Sequence, residues 1–141
     1  MIKKKILGYF EYDPAIYPRK LWVHIGYDFK ELAQKAFYNV VIDENKDYRG
    51  VEYGEVIRKS DDKYGILVSF PKRKDMTMDI CVHEASHVCD DLEKATGLEH
   101  GGESSAYLIG WIASCINNAR LGIGDFVEVK DIKDKKKNKK K

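Results

Sequence analysis

Apolar residues along this chain recur with two different periods, and the changes of period divide it into elements. Lys20-Leu21-Trp22-Val23-His24-Ile25 alternates apolar and β-forming residues and predicts a strand. Tyr64-Gly65-Ile66-Leu67-Val68-Ser69-Phe70 is the strongest strand in the chain, and Pro71, with no N–H to give a ladder, ends it. Looser patterns predict a first strand within residues 1–12, short ones over 39–42 and 51–58, and a closing strand or arm at 126–129. Pro14 and Pro18 bracket an irregular stretch, residues 43–54 are polar and turn-rich, and Ser60-Asp61-Asp62-Lys63 is a turn.

Helical periodicity appears three times. Over residues 29–38, Leu32, Ala33, Ala36 and Phe37 share one side, with Asp28 as the predicted N-cap and Glu31 completing a capping-box variant. A second helix is predicted from about residue 76, capped by Asp75, to about 92 or 94, with Gly97 as its stop. A third is predicted over residues 103–119, ended by Gly122 and Gly124. Its Ala106, Leu108, Ile109, Trp111, Ile112, Ala113, Cys115 and Ile116 are too apolar for a surface helix and predict burial against the second. No repeat is present. The sum is an α+β domain, with a mixed or antiparallel sheet packed on two helices.

A chain of 141 residues fits one domain, and 43% hydrophobic residues is close to the globular average. No stretch approaches the roughly 20 apolar residues that cross a bilayer, so no membrane partner is expected. The start, Met1-Ile2-Lys3-Lys4-Lys5-Ile6-Leu7-Gly8, is basic, but Glu11 and Asp13 break the apolar segment after it, so a signal peptide is not expected. Three cysteines without a C-x-x-C pair suit a reducing compartment, hence a cytoplasmic protein, or a virion-associated one if phage-encoded. Cys81 and Cys89, which could ligate metal, read more simply as small buried side chains.

Charge separates a body from a tail. Residues 130–141 hold eight lysines and two aspartates, +6, so a net charge of +2 leaves residues 1–129 at −4. The domain is therefore expected to span 1–129. From Lys130 to Lys141 a flexible tail is expected, which serves either solubility or a salt-sensitive contact with nucleic acid or another acidic partner.

The candidate chemistry lies on the second helix. His83-Glu84-Ala85-Ser86-His87 is an H-E-x-x-H motif. Two histidines four residues apart leave one helical face about a turn from each other, so both imidazoles reach one metal ion. Glu84 stands beside them, placed to take a proton from a metal-bound water. A catalytic zinc usually has three protein ligands, and Glu103 and His100 are the candidates for the third. If the motif helix runs unbroken to Lys94, its end lies ~10 Å past His87 and a glutamate opening the returning helix is too distant. Glu103 then needs a shorter first helix or an earlier second one. Otherwise His100 reaches back, or no third ligand exists.

H-E-x-x-H followed by Glu103-Ser104-Ser105-Ala106, an E-x-x-A pattern opening the next helix, resembles the gluzincin (thermolysin-like) metallopeptidases, in particular small minimal-domain members from bacterial and phage genomes. The resemblance covers residues 64–116. It implies a zincin-like domain that hydrolyses peptide bonds, with zinc on His83, His87 and Glu103 and Glu84 as general base. It also implies an edge strand at Tyr64–Phe70 that aligns an extended peptide or protein substrate. Tyr107, one turn past Glu103, is either a hydrogen-bond donor to a tetrahedral oxyanion or a core tyrosine. Thermolysin-like enzymes carry an acidic residue soon after the third-ligand glutamate. Here Ala106 and Tyr107 occupy that turn, so Asp79, Asp90 or Asp91 would have to support the histidines. His24 reads as a strand-surface residue. Two other functions fit the same residues: a non-catalytic structural or assembly protein, for instance of a phage particle, that retains the fold, and a nucleic-acid accessory module acting through the tail.

Overall fold

In the computed structural model of the chain, residues 8–15, 17–42, 47–123 and 127–129 are described. In chain order they form β1 (Tyr9–Tyr12), β2 (Lys20–Ile25), α1 (Phe29–Ala36), β3 (Val51–Ile57), β4 (Tyr64–Phe70), a 3₁₀ turn at Arg73–Asp75, α2 (Met78–Thr96), α3 (Gly102–Leu121) and β5 (Val127–Glu128). The class is α+β, as expected. The five strands make one mixed sheet in the order β3-β4-β2-β1-β5, in which only the central β2–β4 pair is parallel. The predicted tail lies outside the described residues. No helix among the described residues is long and apolar enough to cross a membrane.

Strand periodicity sorts the core into two layers. Leu21, Val23, Ile25, Ile66, Val68 and Phe70 point to one face and pack with Ala85, Val88, Leu92, Leu108, Ile112 and Ile116 of α2 and α3. Trp22 and Leu67 point to the other face and pack with Phe29, Leu32 and Ala36 of α1. Both faces of the central strands are therefore covered, which is why β2 and β4 read as almost continuous apolar runs. His24, expected at a strand surface, is fully buried for the same reason. Its ring spans Ser69 Oγ at 2.9 Å and Asp28 Oδ1 at 2.7 Å.

That contact accounts for another difference. Asp28 occupies the N-cap position of α1 but makes no side-chain capping bond, because its carboxylate serves His24. Residues 39–42 are not a strand. Instead the Asn39 amide joins the edge of β3, donating to Glu55 O at 2.7 Å and accepting from the Ile57 amide at 3.1 Å. β4 is interior, between β3 and β2, so the expected edge strand at Tyr64–Phe70 is corrected to β3. The register of β3 on β4 shifts between Tyr53 and Val56.

α2 begins at Met78 after Thr77, two residues later than the sequence suggests, since Asp75 is held in the 3₁₀ turn. It runs unbroken to Thr96 and ends on Gly97 at φ 73°, the left-handed conformation glycine adopts without a Cβ penalty. Gly122 ends α3 in the same way at φ 72°. α3 returns along α2, and all three cysteines, Cys81, Cys89 and Cys115, are buried as free thiols.

Candidate functional site

α2 buries Cys81, Ala85, Val88, Cys89 and Leu92 and exposes His83 and His87. The two imidazoles meet at their Nε2 atoms, 3.2 Å apart, with their planes nearly perpendicular at 81°. Two nitrogens bound tetrahedrally to one zinc at ordinary Zn–N lengths are about 3.3 Å apart. The pair is therefore spaced to share one ion, while in metal-free protein the same separation serves one N–H···N hydrogen bond. Among the described residues neither ring has another hydrogen-bond partner.

Glu84 lies on the border between the exposed and buried faces of α2 and turns inward, 6% exposed. Its Oε2 is 4.0 Å from His83 Nε2. Burial pushes its carboxyl above the usual range, and the neighbouring His83 and His87 pull it back. Glycine at position 50 makes room for it. A Cβ there would stand 3.0 Å from Glu84 Cγ and from the Phe70 ring, and 3.2 Å from Glu84 Oε2.

β3 brings a further carboxylate that the sequence did not single out. Glu52 is pushed up to about 9, first by burial and then by its hydrogen bond with Asp91 and the charges of Asp91, Glu84 and Asp90. Its Oε2 is buried without a hydrogen-bond partner. A Cβ on Gly54 would fall on the Asp91 carboxylate. Gly50-x-Glu52-x-Gly54, two glycines flanking a glutamate at strand period, is the sequence signal that could have found it.

A second cluster occupies the last turns of α2. Glu93, 3% exposed, receives the Ser105 hydroxyl, His100 Nδ1 at 2.8 Å and the Cys89 thiol at 3.5 Å. Asp90 Oδ1 is 3.4 Å from the same His100 nitrogen. The Ser105 bond is the largest cause holding Glu93 low, and the Glu93 bond is the largest cause raising His100. The donor atoms of Asp90, Glu93 and His100 all lie within 4.8 Å of one another, close enough to hold a metal ion.

The structure keeps Glu103 and His100 away from the histidine pair. Glu103 is exposed at the second residue of α3, and Ser105, two residues on, bonds Glu93. Glu93 is six residues past His87, roughly 9 Å along the axis. The cause is the length of α2, which continues to Thr96. His100 is engaged by Glu93 and Asp90. Tyr107 is 75% exposed, not a core tyrosine, and lines a cleft of about 350 Å³ with Asp13, Tyr17, Ser104 and Trp111, of which neither His83 nor His87 is a wall. The acids considered as supports are directed elsewhere: Asp79 to Thr77, Asp90 to His100, Asp91 to Glu52. The donor set at the pair, two imidazoles with a carboxylate alongside, suits zinc. Comparison with known proteins finds no matching family model, no matching curated protein and no matching solved structure.

Proposed function

We propose that the protein is a zinc-dependent hydrolase of peptide bonds, gluzincin-like in its motif, with its centre on α2. The observation that supports this most directly is the 3.2 Å separation of the His83 and His87 Nε2 atoms. His83 and His87 would hold the ion, and Glu103, at the start of α3 beside the last turns of α2, is disfavoured as their third partner. When bound, zinc supplies Lewis acidity toward the scissile carbonyl and acidifies water. Glu84 takes the proton of the attacking water and delivers it to the departing amine nitrogen, so no covalent intermediate with the protein is needed. Its inward position among apolar neighbours makes the carboxylate a stronger base than an exposed one. An extended substrate would add to β3, the edge strand beside Glu84. Free buried thiols suit a reducing cytoplasmic setting.

The test is Glu84→Gln. Peptide hydrolysis should fall ~10²-fold or more, the usual share of a general base, with about one zinc per chain retained. A wild-type protein that binds zinc but hydrolyses no member of a diverse peptide library would instead favour a structural or assembly role with the metal retained. That second reading draws on the Asp90–Glu93–His100 cluster, a metal-capable set at the α2–α3 corner, where an ion would act as a brace. Zinc retained in a His83→Ala, His87→Ala double variant and lost in His100→Ala would put the ion there.

A further inference from the structure

The geometry points to Glu52, on edge strand β3, as the third protein ligand of the ion held by His83 and His87. This assignment rests on the zinc reading above and changes its ligand set, since Glu103 stands at the far end of α2.

Three observations carry it. The first is the alternation of β3. Val51 and Tyr53 pack into the core on the α1 side, so positions 50, 52 and 54 face α2. The second is the pairing of that face with the helix. Gly50 abuts Glu84 and Gly54 abuts Asp91. Glu52, midway between the two glycines, is therefore level with the midpoint between residues 84 and 91, at His87 and Val88. Val88 is buried in the core, which leaves His87 as the neighbour on the exposed side. The third is the state of the carboxyl itself. One oxygen is buried without any hydrogen-bond partner, a condition that normally costs free energy and that a ligand would relieve.

Glycine on both sides of Glu52 also has a purpose on this reading. A side chain at 50 would press on Glu84 and one at 54 on Asp91, so the two glycines let strand and helix approach closely enough for a glutamate to reach across. In the structure the Glu52 carboxyl is turned to Asp91, and no trio among the described residues that contains both His83 and His87 has all its donors within 4.8 Å. Ligation requires the Glu52 side chain to rotate away from Asp91 toward His87. Asp91, one helical turn beyond His87, would then accept from solvent.

Cobalt(II) substitution tests this on the full chain without reference to activity. A thiolate on cobalt gives an intense near-ultraviolet charge-transfer band that carboxylate and imidazole do not. Glu52→Cys should gain that band relative to wild type, and Glu103→Cys should not. Glu52→Gln, which keeps shape and should fold, ought to lower zinc affinity at least ~10-fold, since even groups that merely orient a ligand cost that much. Circular dichroism in chelator would show that its fold is unchanged. A band from Glu103→Cys and none from Glu52→Cys overturns the assignment, as does undiminished zinc affinity in Glu52→Gln while His83→Ala and His87→Ala lose the metal. Wild-type protein that takes up neither zinc nor cobalt, or that keeps them in both histidine variants, overturns the zinc reading itself and Glu52 with it.

Discussion

The middle and the C-terminal end of α2 carry the same kinds of side chain arranged to opposite effect. Near its C-terminus, Glu93 is buried and each of its oxygens is claimed, by Ser105, His100 and Cys89. Near its middle, Glu84 is nearly as buried with two solvent-facing histidines close by, and Glu52 on β3 keeps an oxygen with no partner among the described residues. A buried carboxylate whose bonds are closed within the chain holds elements together. One with a bond left open costs the fold free energy and is available to something else. The first cluster ties the α2–α3 corner, and the second is where chemistry is expected.

The sharpest way to break this comparison is to cut the closed cluster and the open one in parallel. Glu93→Gln should lower stability by roughly 2 kcal/mol, the scale of hydrogen bonds to a buried charge, read as a lower urea midpoint. His83→Ala in metal-free protein should change it by less than about 0.5 kcal/mol, as at an exposed site. Equal losses would erase the distinction. A smaller effect is expected from Gly50→Ala, whose methyl would meet Glu84 and the Phe70 ring at 3.0 Å. Overpacking of about 1 kcal/mol should come with hydrolysis reduced several-fold and zinc content unchanged. A variant with wild-type activity would mean that Glu84 is not confined by the strand.

The mildest probe is pH, with metal removed. Glu52 is raised to about 9 in the folded chain from about 4.5 unfolded. Its favourable contribution is present in full below the unfolded value and is lost as pH rises toward 9, so Glu52→Gln should flatten the decline in stability between pH 5 and 9. His24 is displaced the other way: burial lowers it, against the pull of Asp28. Its contribution is present above about 6.5 and is lost as pH falls from there through its folded value. Urea midpoints at intervals from pH 5 to 9 would show both limbs, and an alkaline limb unchanged in Glu52→Gln would place the coupling elsewhere.

Much of the fold was legible because local pattern and tertiary setting agreed. β2 and β4 are bounded as their apolar runs suggested, and Gly97 and Gly122 end their helices as their conformational freedom allows. The histidine spacing likewise translates directly into two nitrogens facing each other. What was not legible depends on which elements become neighbours. Nothing local says that β4 is interior, that α1 covers His24, or that Asp28 gives up its cap to a histidine. Nothing in the glutamate at position 52 says that it will face Glu84 and Asp91, more than thirty positions on; that follows only once β3 is packed beside α2. The length of α2 was the hinge of the third-ligand question, and its continuation to Thr96 argues against a reach from Glu103.

The Asn39 side chain has a consequence of its own. By donating to Glu55 O and accepting from the Ile57 amide it imitates the backbone of a neighbouring strand over one half of β3. A sheet edge with free donors and acceptors is a template on which a second chain can grow into an aggregate. The Asn39 amide, together with the Tyr38 N–H that donates to Ile57 O, closes that template over the stretch farthest from Glu84. Self-association along the edge is thereby denied a full-length strand, and Asn39→Ala should make the protein more prone to precipitate without altering anything in the neighbourhood of the histidines.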